Sequence, residues 1–334
     1  MLSKNFKIGS KEIGVENDPY VIAEIGSNYN QNIETANALI DVAQDAGASA
    51  VKFQLFCADE LYDKSHKLHS VFKKNELSHD HAILIQQYCK HKKIDFLCSC
   101  FDMTSFNFLE DIGIVAHKVA SSEVTNLKLL SRIFRTKKPV LLSTGMCELS
   151  DISSAIELAR DLESNKLCIM QCGSQYPLHP KNANLKFIRK LSDYFDTPVG
   201  FSDHSISNVQ SLVALGLGAR VFEKHITLDK SQNGPDHFYS LEPVELKNYI
   251  AQIDEAYISL GDGQKKLLDS EKKEGRRYGL YFANALKAGD IIKDSDLIHD
   301  RPRLEVNVKF KDIIIGKELI EDVSAGDPVS AIYL

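Results

Sequence analysis

Eight short apolar segments alternate with longer amphipathic segments between residues 20 and 260, and this alternation constrains the fold more than any other feature. Each apolar segment has the length of a buried strand, and each amphipathic segment has the period of a helix. Such alternation is typical of a parallel sheet with helical crossovers, and eight units predict a closed (β/α)8 barrel, the TIM barrel of the α/β class. The predicted strands are residues 20–25, 50–55, 94–99, 116–120, 139–143, 166–171, 198–201 and 220–223.

The segments between these strands have helical periodicity. A doubly wound open sheet is the alternative fold, and it more often has a G-x-G-x-x-G phosphate loop after its first strand. Here Gly26-Ser27-Asn28 follows the first strand, so the closed barrel is favoured. The clearest predicted helices are residues 34–46, 80–91, 150–162, 184–195 and 244–260.

The character of the chain changes after Leu260, where Gly261-Asp262-Gly263 interrupts the last helix. We predict a catalytic barrel over residues 1–262, a charged linker over 263–278 and a small β-rich domain over 279–334. The last region repeats a turn-like pattern, L-K-A-G-D at 286–290 and V-S-A-G-D at 323–327. A module of about 50 residues is marginal on its own, so we expect it to pack on another surface.

Composition excludes several classes of protein. The formal net charge is −6 and no basic stripe is present, which argues against a nucleic-acid-binding protein. No apolar run approaches the roughly 20 residues that span a bilayer, so no membrane partner is expected. The polar start lacks a signal-peptide pattern, and the seven cysteines are an odd number without C-x-x-C spacing. These features predict a cytoplasmic protein with free, mostly buried thiols.

Polar or ionisable side chains stand at the carboxyl end of every predicted strand. Active sites of (β/α)8 barrels are built at this end. Lysines inside two strands, Lys52 and Lys118, are unnecessary in a purely structural barrel. The candidates gathered here are Glu24, Lys52, Gln54, Ser99, Lys118, Ser121, Glu123, Ser143, Tyr176, Ser202, His204, Glu223 and His225.

His204 and His225 are the candidate metal ligands. They follow adjacent strands, so their imidazoles can converge, and Glu24 or Glu223 can orient them from behind. Two protein ligands suit a catalytic ion with open positions better than a structural zinc. The alternative is that each histidine only satisfies hydrogen bonds in the core.

The two strand lysines are open to two interpretations. Lys52 and Lys118 can bind a phosphate and a carboxylate as positive charges. Alternatively, Lys118 can form a Schiff base with a carbonyl substrate, as in class I aldolases. The neighbouring hydroxyls of Ser99, Ser121 and Ser143 suit phosphate binding, although each is also an ordinary turn residue.

Seven motifs, in order along nearly the whole chain, resemble the sialic acid synthase family of N-acetylneuraminate, legionaminate and pseudaminate synthases. The C-terminal module is similar to the antifreeze-like (SAF) domain of that family. The motifs are A-E-I-G at 23–26, V-K-F-Q at 51–54, H-K-V-A-S-S-E at 117–123, L-S-T-G-M at 142–146, G-F-S-D-H at 200–204, F-E-K-H at 222–225 and N-G-P-D-H at 233–237.

The resemblance implies a reaction. Phosphoenolpyruvate would condense with an N-acylated mannosamine-type sugar and water, and phosphate would leave by C–O cleavage. The expected product is N-acetylneuraminate, with legionaminate or pseudaminate made from a diacetamido-trideoxyhexose as the alternative. A Schiff-base lyase, a synthase for a phosphorylated aldose and a non-catalytic carbohydrate-binding protein are less favoured functions.

The resemblance also implies roles for particular residues. The ion held by His204 and His225 would be Mn²⁺ or Mg²⁺, and Arg301 of a partner's antifreeze-like domain would reach the sugar in a swapped homodimer. Tyr29 stands where the family commonly has histidine. The catalytic candidates are Glu24, Glu123 and Lys118, and the substrate-binding candidates are Lys52, Gln54, Ser99, Ser121, Ser143, Tyr176, Ser202, Asp236 and Arg301.

Overall fold

The computed structural model describes residues 1–273 and 276–333. The chain divides into two compact units, Met1–Gly261 and Asp262–Leu334. Residues 274 and 275 of the predicted linker and residue 334 of the predicted C-terminal domain lie outside the described part. Within that part, no helix is both long and apolar enough to cross a membrane.

The first unit is a closed barrel of eight parallel strands in the order β10-β3-β4-β5-β6-β7-β8-β9, as predicted. A short antiparallel hairpin, β1–β2, precedes it. The strands are β1 (Asn5–Ile8), β2 (Lys11–Gly14), β3 (Tyr20–Glu24), β4 (Ala50–Leu55), β5 (Asp95–Cys100), β6 (His117–Val119), β7 (Val140–Ser143), β8 (Leu167–Cys172), β9 (Val199–Asp203) and β10 (Ala219–His225).

Helices connect successive strands, and the five predicted helices are present within two residues of their expected ends. The sequence pattern does not indicate several shorter helices, among them α5, α6 and α9. The helices of this unit are α1 (Ile33–Asp45), α2 (Ala58–Leu61), α3 (His69–Asn75), α4 (His79–Lys92), α5 (Met103–Asp111), α6 (Leu127–Arg135), α7 (Leu149–Asp161), α8 (Lys186–Phe195), α9 (Val209–Gly216) and α10 (Pro243–Leu260).

The inside of the barrel has an apolar layer below a polar layer. Strand residues point alternately inward and outward, so Ile22 and Glu24 face inward on β3, and Ala50 and Lys52 on β4. The inward apolar side chains form one buried cluster. The same step from apolar to polar along a strand occurs at Ala116 and Lys118, Leu141 and Ser143, and Val221 and Glu223.

The hairpin β1–β2 belongs to the lower end of the barrel. Phe6, Ile8 and Ile13 lie in the same buried cluster as Tyr20 and Ile22, at the amino ends of the strands. Burying these side chains removes apolar surface from water at both the hairpin and the barrel floor. The polar layer is therefore at the opposite end, where the strands finish.

The second unit has a short helix, α11 (Asp269–Lys273), then strands β11 (Gly279–Phe282) and β12 (Leu297–Asp300), which pair antiparallel, and helix α12 (Lys311–Ile314). The repeated sequence pattern forms two equivalent turns, with Gly289 at φ 91° and Gly326 at φ 89°. In each turn, the following aspartate accepts a backbone hydrogen bond, from Lys287 or Ser324. The core of this unit consists of Leu280, Phe282, Ile292, Leu297, Ile314, Leu319, Val323 and Val329.

Candidate active site

A cavity of about 340 Å³ opens where the barrel strands end. It gathers all the predicted site residues of the first unit except Glu123. Those lining it are Glu24, Lys52, Gln54, Ser99, Lys118, Ser121, Ser143, Tyr176, Ser202, His204, Glu223, His225 and Asp236.

Lys52 is buried between two carboxylates. Its Nζ lies 3.0 Å from Glu24 Oε2 and 3.6 Å from Glu223 Oε1, and it donates a 3.3 Å hydrogen bond to Ser99 Oγ. Burial alone would lower the pKa of Lys52, but Glu223 and Glu24 outweigh it and the pKa is raised. Lys52 is therefore a fixed positive charge in the cavity wall.

Lys118 occupies the neighbouring position and has a different electrostatic environment. Its Nζ donates a 2.7 Å hydrogen bond to Ser143 Oγ and lies 3.4 Å from Glu223 Oε2. Burial lowers the pKa of Lys118, and repulsion from Lys52 lowers it further, against the attraction of Glu223. The two lysines and their serine partners form an anion-binding wall, which we call the lysine wall.

The two glutamates beside the lysine wall differ in acidity. Burial raises the pKa of Glu24, and repulsion from Glu223 adds to this effect against the attraction of Lys52. Burial also acts to raise the pKa of Glu223, but Lys118 and Lys52 outweigh it and the pKa is lowered. Glu24 is thus the carboxyl group suited to exchange a proton, and Glu223 is a fixed negative charge.

The two histidines converge on the other side of the cavity, with ring centroids 5.4 Å apart. His204 Nδ1 lies 2.9 Å from the Gly173 carbonyl oxygen. Because a carbonyl only accepts, that nitrogen is the donor. Burial acts to lower the pKa of His204, but the Cys172 side chain and the Gly173 carbonyl outweigh it and the pKa is raised. Burial lowers the pKa of His225 to about 3, so the His225 imidazole is neutral.

This donor set fits a divalent cation. Metal-bound histidines commonly donate their second nitrogen to a carbonyl or carboxylate, as His204 does to Gly173. Among residues 1–273 and 276–333, no three or more His, Cys, Asp or Glu side chains are grouped to hold an ion. His204 and His225 would be the two protein ligands of such an ion.

Polar and aromatic groups complete the wall next to the histidines. Tyr239 donates a 2.8 Å hydrogen bond to Asp236 Oδ1, and Asp236 Oδ2 lies 3.7 Å from His225 Nδ1. The Tyr176 ring centroid is 4.2 Å from that of His204. Gln54 donates a 2.7 Å hydrogen bond to Glu24 Oε1. These groups suit a polyhydroxylated ligand.

Glu123 follows the lining residues Ser121 and Ser122 in a single 3-10 turn, Ser121–Glu123, and is not itself among the lining residues. Its Oε2 accepts a 3.0 Å hydrogen bond from Asn126 Nδ2. Arg301 lies in the second unit, where its guanidinium carbon is 4.3 Å from the Tyr278 ring centroid.

Glu223 is a predicted residue whose contacts go beyond its predicted role, and several other lining residues are not evident from the sequence. The sequence predicts that Glu223 only orients histidines, yet it contacts both lysines and accepts a 3.1 Å hydrogen bond from Ser202. Its inward direction follows from the spacing of residues 221, 223 and 225 on β10, which is a usable signal. The remaining unpredicted lining residues are Phe72, Phe101, Ala120, Ser122, Met146, Cys172 and Ser174.

Tyr29, the departure from the family pattern, does not line the cavity. Its side chain is 1% exposed, its hydroxyl donates a 2.7 Å hydrogen bond to Gln31, and its ring packs edge-on at 5.7 Å from Phe53. This substitution therefore alters packing behind β4 rather than the cavity wall.

The fold and the cavity define a (β/α)8-barrel protein with the kind of site that barrel enzymes carry at their strand ends. The NeuB family profile matches residues 39–265. The chain is 35% identical to the N,N'-diacetyllegionaminic acid synthase of Legionella pneumophila, with 97% of each chain covered. The chain belongs to the NeuB family.

Two further relatives support this assignment. The human N-acetylneuraminate-9-phosphate synthase is 31% identical, over 95% of this chain and 93% of that protein. The crystal structure of N-acetylneuraminic acid synthetase from Leptospira borgpetersenii, in complex with citrate, superposes with a TM-score of 0.77 at 31% identity. The superposition covers 82% of this chain and 95% of that chain. The relatives of the chain thus include synthases of several nonulosonic acids.

Proposed function

We propose that this protein condenses phosphoenolpyruvate with an N-acylated amino-sugar aldehyde and water, giving a nine-carbon nonulosonic acid and phosphate. The observation that carries the proposal is the lysine wall placed opposite two converging histidines in one cavity. An anion binds on one side, and a carbonyl oxygen is activated on the other. Membership of the NeuB family supports the same reaction class.

The lysine wall is suited to the phosphate and carboxylate of phosphoenolpyruvate. Hydrogen bonds to ionised groups are shorter and roughly twice as strong as neutral ones. Lys52 with Ser99, and Lys118 with Ser143, each pair an ammonium with a hydroxyl donor. With both ends held, carbon 3 of the enol can be directed towards the histidine side of the cavity.

The charge of the cavity supports a metal requirement. Two lysines face three carboxylates, Glu24, Glu223 and Asp236, so these five groups together carry no net positive charge for a multiply charged anion even if Glu24 is protonated. A divalent ion on His204 and His225 would reverse that balance. When bound, Mn²⁺ or Mg²⁺ supplies Lewis-acid polarisation of the sugar aldehyde, worth several kcal/mol.

The chain's own groups then handle the protons. Carbon 3 of phosphoenolpyruvate bonds to the aldehyde carbon, and water adds at carbon 2. Glu24, with its raised pKa and its position beside His225 in the strand register, accepts the proton from that water. The carbon–oxygen bond to phosphate breaks, and the carbon 2 hydroxyl gives up its proton as the keto group forms. Of the two protons of the water, one ends on the former aldehyde oxygen, which becomes a hydroxyl, and the other leaves with the phosphate. In this scheme Lys118 holds the anion and forms no imine.

The finer proposal for the sugar is N-acetylmannosamine, giving N-acetylneuraminate. A diacetamido-trideoxyhexose is the second candidate, because the Legionella pneumophila and Campylobacter jejuni relatives, 35% and 34% identical, are N,N'-diacetyllegionaminic acid synthases. Discrimination between these sugars depends on one or two small groups.

We expect phosphate release to require both phosphoenolpyruvate and an N-acylated sugar. The Mn²⁺-loaded protein is assayed with N-acetylmannosamine, with diacetamido-trideoxyhexoses and with the corresponding 6-phosphorylated sugar, and the sugar with the highest kcat/KM is identified. Free mannose, which lacks the acyl group, is the matched control. Phosphate release that is equally fast without any sugar would contradict the proposal.

We also propose a homodimer in which the C-terminal unit of one chain completes the barrel site of its partner through Arg301. Support comes from the family resemblance and from the small size of this unit, which makes it marginal on its own. Arg301 is exposed and its nearest described aromatic partner is Tyr278, so it retains hydrogen-bonding capacity for a sugar acyl group.

Two inactive variants test this exchange of units. His204→Ala disables a barrel, and Arg301→Ala disables a C-terminal unit. In a swapped heterodimer, the intact barrel of the Arg301→Ala chain receives Arg301 from the other chain. Each heterodimer in a co-refolded mixture should therefore recover up to about half the activity of a wild-type dimer. Mixtures that remain inactive although heterodimers are demonstrated by mass spectrometry would rule out the swap.

A further inference from the structure

A buried ion pair lies behind the two histidines and outside the cavity. Lys224 and Asp203 are each 1% exposed, and Lys224 Nζ lies 2.9 Å from Asp203 Oδ2. Neither residue lines the cavity. Taking two charges out of water is costly, and well-packed apolar residues often replace such pairs without loss of stability. A contribution to stability alone therefore does not explain why a buried ion pair stands at this position.

The pair joins the ends of the two strands that carry the histidines. Asp203 and Lys224 are direct partners in the β9–β10 register, and each is followed immediately by a histidine, His204 or His225. Lys224 Nζ also donates to the Ser205 carbonyl oxygen. The Lys224 ammonium group thus binds Asp203 and Ser205, the residues on both sides of His204. Lys224 itself directly precedes His225 in the chain.

The Asp203 carboxylate is held equally firmly. Its Oδ1 accepts hydrogen bonds from the backbone N–H of Ser205 at 2.8 Å and from the Ser205 hydroxyl at 2.6 Å. Its Oδ2 accepts from Ser211 Oγ at 2.7 Å, and that hydroxyl lies 2.9 Å from the Tyr249 hydroxyl. Ser211 is on α9 and Tyr249 is on α10, so two helices anchor the turn that bears His204.

We propose that the Asp203–Lys224 pair is a positioning device for the metal site, fixing His204 relative to His225 so that the two imidazoles converge on one ion. The inference rests on the metal role given to the histidines under the proposed function. The Gly173 carbonyl and the Tyr176 ring contact His204 from other directions. The Asp203–Lys224 pair instead joins the two strand ends directly before the histidines. Supporting groups that orient metal ligands typically change metal affinity about 10- to 100-fold when removed.

The test measures Mn²⁺ binding to the metal-free protein in the absence of substrates. The electron paramagnetic resonance signal of free Mn²⁺ gives the unbound concentration. The double variant Asp203→Asn with Lys224→Met removes both charges together, so neither is left unpaired. We expect its Mn²⁺ dissociation constant to rise about 10- to 100-fold. The melting temperature of each metal-free protein is measured in parallel, to separate loss of positioning from loss of stability.

Tyr249→Phe is the matched control, because it removes one hydrogen bond of the same network but leaves every hydrogen bond and the ion pair of Asp203. Its Mn²⁺ affinity should equal that of the wild type. A double variant with a lower melting temperature and unchanged Mn²⁺ affinity would overturn the inference. A wild type that binds no Mn²⁺ would overturn the metal role itself, and with it this inference.

A folding defect in the double variant does not prevent the test. Ser211→Ala deletes only one of the hydrogen bonds on Asp203 and creates little extra space. Because Ser211→Ala weakens the support of Asp203, it should raise the Mn²⁺ dissociation constant a few-fold, in the same direction as the double variant. Unchanged binding in a folded Ser211→Ala protein would also count against the positioning role.

Discussion

The His204→Ala protein is expected to lose about 1000-fold in kcat/KM, because Lewis-acid activation of the aldehyde is worth several kcal/mol and about 4 kcal/mol corresponds to that factor. Steady-state phosphate release measures the effect. After treatment with a chelator, Mn²⁺ should restore the wild type but leave the variant inactive. The exposed His91 on α4 supplies the matched control, His91→Ala, which should behave as the wild type.

Full turnover of the wild type in excess chelator would contradict this account of the histidines. A His204→Ala protein that keeps the wild-type kcat/KM in the presence of Mn²⁺ would also contradict it. Circular dichroism of the His204→Ala protein shows whether loss of the Tyr176 contact has disturbed the fold.

Lys118→Met should lower kcat/KM for phosphoenolpyruvate by roughly 10- to 150-fold, since a charge-assisted hydrogen bond contributes about 1.5–3 kcal/mol. Methionine keeps an unbranched side chain of similar length. Glu223 retains Ser202 and Lys52 as partners, so the protein should remain folded. Initial rates measured at varied phosphoenolpyruvate concentrations give kcat/KM for the variant and for the wild type.

Lys138→Met is the matched control for Lys118→Met. Lys138 forms a 2.7 Å ion pair with Glu110 and does not line the cavity, so its loss should leave phosphoenolpyruvate kinetics unchanged. Unchanged kinetics in Lys118→Met would remove this lysine from the site. Borohydride trapping of pyruvate on Lys118 would instead favour the Schiff-base mechanism.

The barrel was predictable because its strands are buried on both faces and therefore stand out as apolar runs. Strand β10 shows where this signal ends. The sequence pattern predicts residues 220–223, but the ladder with β3 and β9 extends β10 to His225. Lys224 and His225 do not look like strand residues, yet ion pairing and the cavity accommodate them.

Short elements escaped detection for a different reason. The strands of the hairpin β1–β2 have four residues each, and Phe6 and Ile8 are buried only because the barrel floor covers them. Helices α5 and α6 span only nine residues each, although the buried residues of α6, Leu129, Leu130, Ile133 and Phe134, do recur with a helical spacing. Their caps, Asp102 and Asn126, are the local signals that a search for helix starts would have used.

The candidate site was predictable wherever alternation along a strand fixed direction. Lys52 and Lys118 face the cavity for this reason, and the same rule places Glu223 there. Glu123 lies beyond the end of its strand, where a 3-10 turn decides its direction. A sequence motif alone does not specify that turn, so the direction of the Glu123 carboxylate does not follow from strand alternation, and its role at the site stays a prediction.

The central claim is that phosphate leaves phosphoenolpyruvate by carbon–oxygen cleavage as the sugar is condensed. Phosphoenolpyruvate labelled with ¹⁸O in the oxygen between carbon 2 and phosphorus tests this directly, with the Mn²⁺-loaded protein and the best N-acylated sugar. Mass spectrometry should find the label in the released phosphate, in equal amount to the nine-carbon keto acid. Label retained in the keto acid, or label-bearing phosphate without any keto acid, would contradict the account.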